Sequence, residues 1–345
     1  MNTHAPACRS VSAHRRSTRF VPLLATFVYA FVSTAVIADA AYAAAAYPTR
    51  PLRLIVTFPA GGTADLLGRV VGQEMGALLG QTVVIDNRAG AGGALGSDIV
   101  AKAPNDGYSL LLSNAASQGV APSLHRKLPY DAVNDYSHLG LITVIPQFFV
   151  ASKGFAPATF KAFLAEAKRA PGTINFGTAG PGSIGHFAGE FLKQTGRIDI
   201  VHVPYKGTAP ATTDLVANRV QVMFQNAPEA GPHIRSGAVR LLAVTSEKRH
   251  PQFPDAPTML EEGMQGFVSH TWYGLSTAPR TSAEIVKTLS AALNKGLAQP
   301  ATRARLTQAG FELRSTTPDE YRRFIEAEVK KFRGIAERAG IKPED

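Results

Sequence analysis

Three segments of this chain share one grammar. At residues 58–65, 87–96 and 178–186 an apolar run reaches a turn of small residues and passes at once into a helical pattern. This constrains the fold more than any other feature, because strand, tight turn and helix in succession is the repeating step of α/β proteins. Strands are expected at 52–57, 82–86, 109–113, 174–178, 200–203, 220–225 and 239–245, where β-branched and other apolar residues cluster. Helical patterns or Gly/Pro turns separate most of them, which predicts parallel sheets with helices on both faces. From Thr63 the apolar residues Leu66, Leu67, Val70, Val71, Leu78 and Leu79 fall on one helix face. A last helix is expected over 318–340, with Tyr321, Phe324, Ile325, Phe332 and Ile335 as its stripe and Thr316-Thr317-Pro318-Asp319-Glu320 as its cap. A chain of 345 residues, 45% apolar, has material for two such packed α/β domains.

The same turns carry a chemical option. Small residues let backbone N–H groups approach a ligand, and a helix N-terminus adds partial positive charge, so each turn favours an anion. A βα turn needs small residues in any case, so one alone means little and three together mean more.

The first residues follow different rules. Arg9, Arg15, Arg16 and Arg19 make a basic start, residues 20–37 form an uncharged apolar run, and Ala38, Ala40, Ala41 and Ala43 supply small-residue cleavage sites. The pattern is that of a secretory signal peptide over residues 1–43, with the mature chain beginning between Ala41 and Tyr47. A run of this length could also span a bilayer as an uncleaved anchor. Pro22, Thr26, Ser33 and Thr34 dilute it and an alanine cluster follows it, which favours cleavage and a periplasmic address. Arg15-Arg16 leaves twin-arginine export open beside the general route.

Cleavage would remove Cys8, the one cysteine, and with it any disulfide, thiolate catalyst or cysteine-held metal. It would also lower the formal charge from +10 to +7. A basic surface favours anionic partners without naming one. Lys and Arg are scattered, with no basic run interleaved with aromatics, so nucleic acid is not expected.

Enzyme readings fit poorly. Gly180-Pro181-Gly182-Ser183-Ile184-Gly185 has dinucleotide-fingerprint spacing and Asp199 lies downstream. The ribose-binding acid should end the second strand, whereas Asp199 precedes it. Ser183 and His186 could hint at a hydrolase, but a nucleophile elbow needs glycine where Pro181 stands, and three-residue spacing at a helix start suits capping. No His/Asp/Glu cluster has metal spacing. No catalytic residue, metal or cofactor is expected.

Several segments in order resemble the Bug family, the periplasmic substrate-binding receptors of tripartite tricarboxylate transporters. They are YPTRPLRLIV (47–56), FPAGGTAD (58–65), DNRAGAGG (86–93), APNDGYSLLL (103–112), KLPYD (127–131), GTAGPGSIGH (177–186), HVPYKG (202–207), LLAVTSEKR (241–249), PDAPTMLEEG (254–263) and WYGL (272–275). The resemblance spans nearly the whole mature length, though each motif alone is weak.

The resemblance implies an α/β, two-domain periplasmic-binding-protein fold of the type II-like "Venus flytrap" kind with two hinge crossings. These would lie near Ile145-Pro146 and His270-Thr271, giving one discontinuous domain of residues 47–145 plus 271–345 and a second of 146–270. It implies a monomer that binds a small carboxylate in the interdomain cleft and passes it to large and small membrane subunits. Delivery to a membrane sensor kinase is the alternative, and an exported hydrolase a more distant one.

By position, Phe58, Ala60, Gly61 and Thr63 would line one jaw, with Asp65 ordering the loop. Thr178, Ala179, Gly180, Ser183 and His186 would line the other. Asn114, Lys206, Gly207 and Gln225 would face the ligand's variable end. Two departures stand out: Gln221 and Gln225 replace aspartates common in relatives, and Pro181 removes an N–H from the second turn. A neutral Gln225 implies an organic acid without an ammonium group.

Overall fold

The computed structural model describes residues 47–338. The signal-peptide reading of residues 1–43 and the last helix beyond Arg338 lie outside them.

The chain opens with β1 (Leu52–Val56), α1 (Thr63–Leu79), β2 (Val83–Asn87), α2 (Ala94–Ala101) and β3 (Ser109–Asn114). The three strands are parallel, with β1 between the other two. Leu54, Ile55 and Val56 are fully buried because helices cover the sheet, so the strand reads as a continuous apolar run without alternation.

The next strand, β4 (Ser137–Ser152), was not anticipated. Its first part pairs antiparallel with β9 (His270–Thr277), from Ser137 opposite Thr277 to Pro146 opposite His270. From Gln147 it pairs antiparallel with β7 (Val222–Asn226) and, one residue later, with β8 (Val239–Val244). The sheet is therefore mixed, with strand order β2-β1-β3-β9-β4-β7 continuing to β5 (Asn175–Thr178) and β6 (Val201–Pro204). This corrects the expectation of parallel sheets: parallel pairing holds within β2-β1-β3 and within β7-β5-β6, and the pairings β3–β9, β9–β4 and β4–β7 that join them are antiparallel. The four residues named as crossings form two cross-strand pairs, Ile145 with Thr271 and Pro146 with His270. Here β4 exchanges one set of neighbours for another, a position where proline's missing N–H is tolerated.

Around the second half of β4 stand α4 (Phe160–Arg169), α5 (Ile184–Gly196), α6 (Thr208–Val216) and α7 (Ala227–Arg235); the label α3 belongs to the single turn Ala121–Leu124. Phe149 is the centre of an aromatic cluster, with ring centroids 4.9 Å from Phe163 and 4.7 Å from Phe224. Each such buried ring contributes roughly 1.5–3 kcal/mol. Around the first half pack α8 (Ala283–Ala298) and, after α9 (Pro300–Gln308) and the short β10 (Glu312–Leu313), α10 (Pro318–Arg338). The expected stripe of α10 buries Tyr321, Ile325, Phe332 and Ile335. Its cap closes reciprocally: the Glu320 N–H donates to Thr317 Oγ1 at 3.2 Å, and the Thr317 N–H to Glu320 Oε2 at 2.8 Å. Trp272 Nε1 donates to Glu328 Oε2 at 2.9 Å and ties α10 to β9. Among the described residues no helix is long and apolar enough to cross a membrane, and no group of three or more His, Cys, Asp or Glu is placed to hold a metal.

Candidate ligand-binding site

The starts of four helices converge on one cavity of about 60 Å³. Gly62, Thr63 and Ala64 open α1; Ser183, Ile184 and Gly185 open α5; Gly207, Thr208 and Ala209 open α6; Asn226 and Glu229 open α7, and all of them line the cavity. Each helix start carries about half a positive charge; Glu229 already holds the first amide of α1, and the starts of α5 and α6, which contribute no acidic side chain to the lining, favour an anion. Lys206 lines the same space and adds a full charge.

The first turn is held from beneath. Asp65 Oδ2 accepts the Gly61 N–H at 3.1 Å and the Arg69 Nε at 3.0 Å. Burial opposes its charge, but Arg69, the Gly61 amide and the Asn87 amide outweigh burial and hold the carboxyl below the usual carboxylate range. Asn87 also donates to the Phe58 carbonyl at 2.9 Å, fixing the turn to β2.

The second turn is held by its own side chains. Thr178 Oγ1 accepts the Gly180 N–H at 3.1 Å and bonds His202 Nε2 at 2.7 Å. Ser183 caps α5, its Oγ accepting the His186 N–H at 3.3 Å. His186 Nδ1 accepts the Gly182 N–H at 3.3 Å, and its ring stacks on His202 with centroids 4.2 Å apart. Burial, with His186 and Lys193 nearby, pushes His202 down to about 4, so it is neutral at neutral pH.

Loops distant in sequence meet at two close approaches. A Cβ at Gly92, whose φ is +61°, would lie 2.8 Å from the Gly182 carbonyl oxygen. One at Gly207 would lie 3.1 Å from the Pro59 ring. The third small-residue turn, 87–96, thus packs on the second turn and does not line the cavity.

Of the residues expected from sequence, Phe58, Ala60, Thr63, Asn114, Ala179, Ser183, Lys206 and Gly207 line the cavity. Gly61 lines an adjoining surface groove. Asp65, Thr178, Gly180 and His186 brace the turns and are not in the lining. The Asn114 side chain is fully engaged, accepting from Ala116 and Ser117 amides and donating to Thr57 Oγ1 at 2.7 Å.

Gln225 is placed elsewhere than expected. Of β7 the cavity takes Met223, Phe224 and Asn226 but not Gln225. Gln225 is 1% exposed, with Nε2 donating to Thr212 Oγ1 at 2.6 Å. It is not in the lining.

Sequence reading missed Gln147, Asn226, Glu229, Thr271 and Tyr273, all in the lining. Gln147, Thr271 and Tyr273 ride on the unanticipated β4 and β9. Glu229 was legible in principle, since Asn226-Ala227-Pro228-Glu229 is a helix-start sequence with an acid in the first turn. Its Oε1 accepts the Thr63 N–H at 2.8 Å. Burial pushes its carboxyl up, against hydrogen bonds from Thr63, Thr208 and the Asn226 backbone.

Comparison with known proteins adds the family context. The model of the tripartite tricarboxylate transporter family receptor matches residues 67–341. Protein BugT of Bordetella pertussis strain Tohama I is 35% identical over 313 residues, covering 90% of this chain and 96% of BugT. The structure of the periplasmic binding protein BugD superposes with a TM-score of 0.83 at 34% identity, over 86% of this chain and all of BugD. The R. palustris protein Rpa4515, solved with adipate, gives a TM-score of 0.83 at 31% identity, over 86% of this chain and 100% of that one. The architecture is thus the α/β periplasmic-binding-protein fold.

Proposed function

Because the chain belongs to the tripartite tricarboxylate transporter receptor family, we propose that it captures a small carboxylate in the cavity where its helix starts meet and delivers it to the large and small membrane subunits of such a transporter. It is a solute receptor and not an enzyme. The observation that carries the carboxylate reading is the convergence of the starts of α5 and α6 with Lys206 on one cavity. A structural relative that holds adipate is consistent with a dicarboxylate.

In this reading residues 47–145 with 271–345 form one lobe and 146–270 the other, hinged at the Ile145–Thr271 and Pro146–His270 pairs. Ligand gripped by turns from both lobes favours the closed form, because only that form makes both sets of contacts. The chain is exported by a signal peptide cleaved near residue 43 and works in the periplasm.

Thermal-shift screening of dicarboxylates, adipate among them, tests the proposal. A fitting acid at about 100 times its Kd should add roughly 2.7 kcal/mol of stability and be recovered chemically unchanged. No stabilisation by any small carboxylate would refute it.

A further inference from the structure

The cavity has an acceptor-rich pole as well as an anion-binding one. Glu229 stands in its wall, half-buried, with Oε1 on the Thr63 amide. Neutral donors orient the carboxyl: the Thr63 amide and hydroxyl, the Thr208 hydroxyl and the Asn226 amide. Among the described residues no Lys, Arg or His lies within ion-pair distance of it, and Lys206, in the same lining, makes no ion pair with it. Three residues earlier Asn226, only 9% exposed, also lines the cavity. Its Nδ2 reaches Thr63 Oγ1 at 3.5 Å, while its Oδ1 is buried with no hydrogen-bond partner.

A half-buried carboxyl without a counter-cation and a buried amide oxygen without a donor are both costly unless something fills them. Their shared complement is a cationic N–H donor. Each lies in the lining of the one cavity, so a single bound molecule can meet both.

We infer that Glu229 and Asn226 form a specificity pole that reads an ammonium group, so that the preferred ligand is a carboxylate bearing an amino substituent. This rests on the carboxylate-receptor reading and narrows it. The ligand carboxylate sits at the starts of α5 and α6 beside Lys206, and the ammonium lies against Glu229 and the Asn226 amide oxygen. The orientation follows from charge: the first amide of α1 is already held by Glu229, whereas no acidic side chain of the lining stands on α5 or α6. A hydroxyl could donate to Asn226 but would leave Glu229 without a counter-charge, so a hydroxy acid ranks between the amino acid and the unsubstituted acid.

The test uses carbon-matched sets: succinate, malate and aspartate, then glutarate, 2-hydroxyglutarate and glutamate. Each is titrated calorimetrically into the wild type and Glu229→Gln, with thermal unfolding to verify that the variant folds. In at least one set the wild type should bind the amino acid at least tenfold more tightly than the unsubstituted acid. Glu229→Gln should reduce that ratio at least tenfold while still binding the unsubstituted acid. Asn226→Asp, which adds charge beside the same group, should preserve or raise the ratio. If unsubstituted acids bind the wild type as well as amino acids do, or Glu229→Gln leaves the ratio unchanged, this inference is wrong and the receptor reading survives. If no acid in either set, nor adipate, binds, both fall together.

Discussion

The backbone N–H of Thr63 donates to Oε1 of Glu229 at 2.8 Å, although 166 residues separate them in the chain. The bond joins the start of α1 to the first turn of α7, so one carboxyl from the second half of the molecule occupies a helix start in the first.

Burial raises the Glu229 carboxyl above its ordinary value, so the fold favours the protonated form. The associated stability is fully present below the unfolded pKa, near 4.3, and is lost as pH rises through the folded pKa. Glu229→Gln mimics the neutral form. It should match the wild type in acid and exceed it at neutral pH, as read by urea unfolding at several pH values. A variant less stable than the wild type at neutral pH would contradict this.

Asp65 should behave in the opposite sense. Its carboxyl is lowered in the fold, so its stabilisation is present above the ordinary aspartate value and is lost as pH falls through the folded pKa. Asp65→Asn, which loses the charged acceptor for Gly61 and Arg69, should cost about 1.5–3 kcal/mol at neutral pH. The cost should shrink in acid. Equal costs at both pH values would show that the charge is unimportant.

Gly92→Val tests closure. The new Cβ would press on the Gly182 carbonyl from 2.8 Å, at a φ of +61° that β-branched residues avoid. Backbone strain alone is about 1–3 kcal/mol, and the clash exists only where the loops meet. Carboxylate affinity should fall at least tenfold with the fold retained by circular dichroism. Gly61→Val is a different case, since nothing lies within 4 Å of its Cβ and only its φ of +88° opposes the change.

Much of the site was legible because its determinants are local. Phe58, Ala60, Thr63, Ala179 and Ser183 sit in turns whose small residues and caps are written in a few consecutive positions. The capping pair Thr317 and Glu320 was visible for the same reason. The long β4 was not, since it is almost wholly buried, shows no alternation and contains Pro146, which argues against a strand. With it went Gln147 and, through β9, Thr271 and Tyr273. Gln225 lies outside the lining for another reason: resemblance gives an approximate position along β7, where Met223, Phe224 and Asn226 enter the lining and Gln225 does not.

Gln225→Asp separates the two accounts of that residue. It would shorten a side chain bonded to Thr212 Oγ1 at 2.6 Å and place a charge where exposure is 1%. Stability should drop by several kcal/mol at neutral pH. The ratio of affinities between an amino acid and its unsubstituted analogue should not change; a changed ratio would put Gln225 back in contact with the ligand.

The most direct measurement of the central claim is a crystal structure with the tightest-binding dicarboxylate or amino dicarboxylate from calorimetry. A ligand carboxylate is expected against Ser183, Ile184 and Gly185 at the start of α5, within reach of Lys206, with both turns closed over it. A ligand bound outside the cavity formed by the four helix starts would contradict the account.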